Sequence, residues 1–226
     1  MNGIRAVLFD AGGTLIHVDG ERISRAAGVA YDDARFRKAE SEAIARVRAF
    51  VLERPDSSDA ERVPLYFHTL LAGLGFEAEN TRSRAAGAIA AEHRRANLWS
   101  RRADRAIETL GTLGARGYRM AVISNADGRV RGLLEEAGLT PHLEFVLDSG
   151  ELGIEKPDSR IFHAATERLG LAPAECVYVG DIYEIDVVGA ERAGLAPILI
   201  GDGPAPPDVR RVANLESLLN LLPGVA

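Results

Sequence analysis

At 226 residues the chain is long for one domain and short for two large ones, so a main domain with a smaller companion is expected. Its 27 basic and 33 acidic residues leave a net charge of −6 and no basic block resembling a nucleic-acid footprint, which argues against nucleic acid as a partner. A single cysteine rules out an internal disulfide, and the apolar run AVLF near the start is too short for a signal peptide or a membrane span. A soluble, cytoplasmic protein with no membrane partner is the expectation.

In chain order, the first apolar run is IRAVLF, ending at Phe9. Residues from about 20 to 97 then hold no convincing strand. Ile44, Val47 and Val51 repeat at helical spacing, as do Val63, Tyr66, Leu70 and Leu74. ERPDSSDAE marks a break between helices, and Gly73 and Gly75 mark another. Tyr31, Phe36, Phe50, Tyr66 and Phe67 read as the core of this inserted helical domain, and Trp99 as packing at its junction.

Beyond the insertion, helical periods alternate with four further apolar runs: YRMAVI, LEFVL, ECVYV and APILI. Ile107, Leu110 and Leu113 share one helix face, Leu133, Leu134 and Ala137 a second, and Leu215, Leu218, Leu219 and Leu222 a third. Gly138, Gly170 and Gly194 fall where helices should stop. GDGPAPPD reads as a Pro-stiffened loop. The five runs are nearly continuous rather than alternating, as in a parallel sheet buried on both faces. The fold class is therefore α/β, a doubly wound parallel sheet with an inserted all-helical domain. The domain limits are 1–17 with 100–226 for the core and 18–99 for the insertion.

The residues directly after each run point to chemistry. The runs lead into Asp10, into Ser124 and Asn125, into Asp148, into Gly180 and Asp181, and into Gly201 and Asp202. In an open parallel sheet the carboxyl ends of the strands line one crevice, where ligands bind. Asp148 and Asp202 read as turn and helix-cap chemistry. Asp10 and Asp181 together do not, because two carboxylates held close repel, and so either share a proton or bind a cation. An all-oxygen pair suits Mg²⁺. The glycines after Asp10 let backbone N–H groups curl toward a phosphate. Lys38 and Lys156 are the only lysines, so the chain uses arginine for general positive charge and Lys156 has a specific reason to be a compact one. Asp10 would then be a nucleophile that forms an aspartyl-phosphate.

Taken in order, FDAGGTL, VISN, GIEKPDSRIF and VGDIYEID resemble the four motifs of the haloacid dehalogenase superfamily over the whole chain. The insertion after the first motif is similar to that family's smaller, helical type of cap, which closes over the site and selects the substrate. The resemblance implies a Rossmannoid core and a hydrolase acting on a small phosphorylated metabolite. It implies Asp10 and Lys156 as catalytic residues, and Ala11, Gly12, Ser124, Asn125 and Lys156 as phosphate ligands. It also implies Mg²⁺ held by Asp10, the Gly12 carbonyl and Asp181, with Asp186 supporting directly or through water.

Gly12 is a departure. The phosphatase majority of the family carries a second aspartate there as general acid and base, a contribution of about 10²- to 10⁴-fold. Its loss predicts a preference for acyl or aryl phosphates, whose leaving groups depart without a proton, and slow breakdown of the intermediate. His17, close behind the nucleophile, is a candidate substitute, and a held water is another. Branches that lack the second aspartate supply rival readings: a haloacid dehalogenase, a phosphonoacetaldehyde-type hydrolase using Lys38, or a non-catalytic phosphate-binding module. His68, His93, His142 and His163 read as structural or surface residues, and Cys176 as buried and inert.

Overall fold

A computed structural model of the chain describes residues 3–55 and 57–225. Residues 1, 2, 56 and 226 lie outside the described residues, the first two and the last within the expected core limits and Asp56 within the expected helix break. The chain divides into two compact units, one formed by residues up to His17 with those from Arg101 onward, the other running from Val18 to Ser100.

The first unit begins with β1 (Ala6–Phe9) and β2 (Ile16–Val18), whose last residue already belongs to the second unit. The second unit follows with α1 (Gly20–Ala27), α2 (Asp33–Glu53), α3 (Asp59–Gly73) and α4 (Glu79–Arg95). The short strand β3 (Trp99–Arg102) leads back to the first unit, which continues with α5 (Ala106–Ala115), β4 (Arg119–Ser124), α6 (Val130–Glu136), β5 (Val146–Asp148), α7 (Ser149–Leu152) and α8 (Ser159–Leu169). Then come β6 (Cys176–Gly180), a π-helical turn (Tyr183–Val187), α9 (Val188–Arg192), β7 (Ala196–Ile200), β8 (Arg211–Val212) and α10 (Leu218–Leu221).

Six strands form one sheet in the order β5-β4-β1-β6-β7-β8, every pairing parallel. All four residues of β1 are buried, because helices cover both faces of the sheet and leave no solvent side for a polar alternate. β1 lies between β4 and β6, with Phe9 opposite Val122 on one side and Val179 on the other. The residues just beyond these three strands therefore emerge side by side. Leu8, Ile123, Phe162 and Tyr178 share one apolar cluster of this unit.

In the helical unit the apolar stripes of four helices meet, with Ile23, Phe36, Ala39, Ala43, Phe67, Leu70, Leu71, Ala85 and Ile89 in one core. Each large side chain buried there contributes roughly 1.5–3 kcal/mol. α1 and α2 start where Asp19 and Asp32 accept from the backbone N–H groups of Arg22 and Arg35 at 3.0 and 2.8 Å, and Ser58 with Glu61 forms a capping box for α3. Gly73 marks a close helix crossing: a Cβ there would lie 2.6 Å from that of Ala39, so Gly73→Val would force α2 and α3 apart. Trp99 packs its ring among Tyr66, Phe67 and His93. Tyr31 is exposed rather than core, stacked loosely on Phe36 with its hydroxyl on Asp33.

Three elements depart from the sequence pattern. β8 has two residues and no apolar run, and β2 with β3 forms a separate two-stranded sheet whose WSRR half is largely exposed. The leucine-rich C-terminal stretch is a single helical turn, because Leu215 is buried ahead of it and Pro223 comes after it. No helix among the described residues is long and apolar enough to cross a membrane.

Candidate active site

Asp10 stands immediately after β1, its N–H donating to the Val179 carbonyl at 2.8 Å. The chain then turns tightly: the Ala11 carbonyl accepts from the N–H groups of Leu15 and Ile16 at 2.8 and 2.9 Å, and Gly12 forms a bridge with Ile16. Glycine is required at 13 for two reasons. Its φ is +80°, and a Cβ there would lie 2.2 Å from Oδ2 of Asp181. Glycine at 180 serves Asp186 in the same way, since a Cβ would lie 2.4 Å from the Asp186 Cγ.

Asp186 reaches back because the helix after β6 opens as a π turn, whose extra residue redirects its side chain. The Ile182 N–H donates to Asp186 Oδ2 at 2.9 Å, and the Asp186 N–H returns to the Ile182 carbonyl at 2.7 Å. Oδ1 accepts from Lys156 Nζ at 2.8 Å.

Lys156 is 2 % exposed and saturated. Its ammonium has three donors, and they meet Asp10 Oδ1 at 2.6 Å, Asp186 Oδ1 at 2.8 Å and the Tyr178 hydroxyl at 2.8 Å. Its backbone is held as well: the N–H donates to Asn125 Oδ1 at 2.8 Å and the carbonyl accepts from Asn125 Nδ2 at 3.0 Å. Asn125, a candidate phosphate ligand by resemblance, thus spends both ends of its amide on placing Lys156.

The electrostatics reflect this crowding. Burial pushes the Asp10 carboxyl up to about 7, with Asp186 adding to the rise and Lys156 opposing it. Burial, then Asp10 and Asp186, hold Asp181 well above the usual carboxylate range. Burial alone would lower the Lys156 ammonium, but Asp10 and Asp186 outweigh it and keep it well above its ordinary value. Asp10, Asp181 and Asp186 each present an oxygen within 4.8 Å of the others. When all three carboxylates are ionised, the one ammonium leaves two negative charges unbalanced, and oxygen donors of this kind suit a hard divalent cation.

Ser124 ends β4 and is buried, paired in register with Asp148. Asp148 performs the capping role read from sequence, accepting from the N–H groups of Gly150 at 2.9 Å and Val130 at 3.3 Å. His17 is not brought together with the acidic cluster. Burial and the nearby Arg101 lower its pKa, Asp104 opposes them, and His17 is not a member of the group formed by Asp10, Asp181 and Asp186. Lys38 is exposed on α2. Cys176 is buried, its thiol pushed up to about 11 by that burial. Tyr178, whose hydroxyl accepts from Lys156, is a residue of the cluster's surroundings that the sequence does not flag, since inside ECVYV it reads as one more apolar strand position.

Comparison with known proteins places these residues in a family context. The profile of a hydrolase family, the haloacid dehalogenase-like hydrolases, matches residues 4–194. The haloacid dehalogenase-like hydrolase domain-containing protein 3 of Bos taurus is 40% identical over 123 residues, covering 52% of this chain and 49% of its own. A glyceraldehyde 3-phosphate phosphatase of Methanopyrus kandleri is 34% identical over 141 residues, covering 62% and 60%. A phosphoserine phosphatase of Thermus thermophilus is 42% identical over 94 residues, covering 41% and 38%. The chain spans about half the length of the curated relatives it matches. Among solved structures, the putative hydrolase YfnB of Bacillus subtilis, bound to magnesium, superposes with a TM-score of 0.68 at 20% identity, covering 97% and 98% of the two chains. A dehalogenase superposes with a TM-score of 0.69 at 24% identity, covering 98% of each. At these identities both establish the fold and neither chooses a reaction.

Proposed function

Because the chain belongs to the haloacid dehalogenase-like hydrolases, we propose that it is a Mg²⁺-dependent phosphatase of small phosphorylated metabolites that works through an aspartyl-phosphate on Asp10. The observation that carries this is the buried contact of 2.6 Å between Asp10 Oδ1 and Lys156 Nζ inside a cluster of three carboxylates. The contact turns one carboxylate oxygen toward a fixed positive charge and leaves the other as the nucleophile. The relatives named as phosphatases of glyceraldehyde 3-phosphate and phosphoserine support phosphate esters as the substrate class.

In this reading Asp10, Asp181, the Gly12 carbonyl and, directly or through water, Asp186 would hold the ion. Mg²⁺, when bound, neutralises charge on the phosphoryl oxygens and lets a carboxylate approach a dianion. Asp10 attacks phosphorus, the ester P–O bond breaks, and the electron pair leaves with the departing oxygen. Ser124 and the backbone N–H groups of Ala11 and Gly12 donate to the phosphoryl oxygens. Lys156 orients Asp10 and balances its charge. No side chain at position 12 protonates the leaving oxygen or activates water, so aryl and acyl phosphates react best and hydrolysis of the aspartyl-phosphate is the slow step. The helical unit acts as the cap that selects the substrate.

Intact mass after brief incubation with acetyl phosphate and Mg²⁺ tests the reading. A phosphoryl adduct that decays slowly, and is lost in Asp10→Asn, is expected. Gly12→Asp should speed that decay by about 10²- to 10⁴-fold. Neither adduct nor phosphate release across activated substrates would overturn the proposal.

A further inference from the structure

Lys156 is held by two charged acceptors and one neutral one, and the neutral one belongs to a residue outside all four sequence motifs. The Tyr178 hydroxyl accepts from Nζ at 2.8 Å. Its single proton faces the Ile123 carbonyl at 3.1 Å and, at 3.4 Å, Asp186 Oδ1. Ile123 directly precedes Ser124 on β4. The phenol therefore links the ammonium that grips Asp10 to the strand end that presents Ser124. We propose that Tyr178 is a positioning residue that acts through Lys156, fixing its ammonium between Asp10 and the end of β4.

The surroundings are built to hold this ring still. Tyr178 is fully buried in the middle of β6, with its register set by Leu8 and Pro197 on the two neighbouring strands. Phe162 of α8 meets the ring edge-on with centroids 4.9 Å apart. Phe162 in turn is seated against Gly189, where a Cβ would lie 2.7 Å from its ring. A flexible four-carbon amine ending in a compact charge has no geometry of its own, and two carboxylates attract it without directing its third N–H. The phenol supplies that direction. Removing the outer-shell partner of a metal ligand typically costs about 10- to 100-fold in affinity or activity, and a loss of the same order is expected for the partner of the Lys156 ammonium.

The inference rests on the phosphatase reading for its effect on turnover, but its physical content can be tested without turnover. With only two lysines in the chain, ¹⁵N-lysine labelling gives two ammonium signals, and Lys38→Arg assigns them. In Tyr178→Phe, which keeps the ring, the Lys156 ammonium should shift and exchange its protons faster while Lys38 stays unchanged. With an aryl phosphate and Mg²⁺, kcat should fall about 10- to 100-fold with little change in KM. The double variant Lys156→Met/Tyr178→Phe should lose no more than Lys156→Met alone, because a residue acting through Lys156 has nothing left to act on. An unchanged Lys156 signal, or fully additive losses, would overturn the proposal. A shifted signal in a protein that turns over no phosphate would support the Tyr178 linkage and count against the phosphatase reading instead. Should Tyr178→Phe not fold, protein grown on 3-fluorotyrosine, whose hydroxyl is a weaker acceptor, should show the same faster exchange at Lys156, and an unchanged signal there would likewise refute the linkage.

Discussion

The buried ammonium of the α/β unit is met by carboxylates from distant parts of the chain, whereas a buried guanidinium of the helical unit, Arg62, also bonds residues close to it in sequence. Lys156 lies 146 residues from Asp10 and 30 from Asp186. Arg62, buried in α3, bonds Ser57 and Asp59, five and three residues away. A local pair needs only the helix cap that the backbone forms anyway. The distant cluster exists only when the sheet has formed, and with its carboxylates ionised it holds more negative charge than its lysine balances. Such an arrangement reduces stability unless a cation completes it, so the contrast separates charge that builds a fold from charge that a fold is built to hold.

The largest effect that tests this contrast is on turnover. Asp10→Asn should reduce phosphate release on the order of 10⁴-fold or more while the fold survives, and Asp59→Asn should leave it within about twofold. Comparable losses in steady-state assays of the two variants would erase the distinction. Next is stability. Lys156→Met strands a carboxylate cluster and should cost about 3–5 kcal/mol, against about 1–3 kcal/mol for Arg62→Met, whose partner Asp59 keeps access to solvent. Urea melts of both variants decide the order.

The pH dependence should then have opposite signs in the two units. Asp10 rises from 3.8 to about 7, so between those values the folded protein keeps a proton that the unfolded chain has released. Stability of the metal-free α/β unit therefore falls as pH rises through that window, by up to a few kcal/mol given about 1.4 kcal/mol per pKa unit. Mg²⁺ should flatten the slope. In the helical unit, hydrogen bonds from Arg95 and Arg22 hold Glu92 down to about 2. Its contribution is fully present above its ordinary value of 4.5 and is lost as pH falls toward 2. Trp99, the only tryptophan, reports the helical unit by fluorescence, and amide exchange in β1 and β6 reports the other. Parallel trends from the two probes would contradict the assignment.

The smallest effect comes from a matched pair of glycines. Gly13 and Gly28 share a φ near +80°, but a Cβ on Gly28 meets nothing within 4 Å. Gly28→Ala should cost only the backbone strain of about 1–2 kcal/mol. Gly13→Ala should cost more and weaken Mg²⁺ binding measured by calorimetry, because it displaces Asp181. Equal costs with unchanged Mg²⁺ affinity would place Asp181 outside the metal site.

Five strands, the helical insertion and the stop positions at Gly138, Gly170 and Gly194 are legible in the sequence because continuous apolar runs, helical periods and left-handed glycines are local signals. β8 and the β2–β3 pair are not, since edge strands this short carry no apolar run of their own. The placement of Asp10, Lys156, Asp181 and Asp186 at one sheet edge could be read from the motifs at the strand ends. The use of Asn125 to hold the Lys156 backbone, the engagement of both Asp186 oxygens, and the separation of His17 from the cluster could not, because each depends on which way a side chain turns once the strands are paired.

By itself, then, the sequence determined the parallel sheet, the inserted helices and the residue types at the strand ends, since periodicity and spacing act over a few residues. Only the tertiary structure decided that Tyr178 shares Lys156 with Asp10 and Asp186. Hydrogen bonds from one ammonium to three residues scattered along the chain depend on distances that packing alone sets.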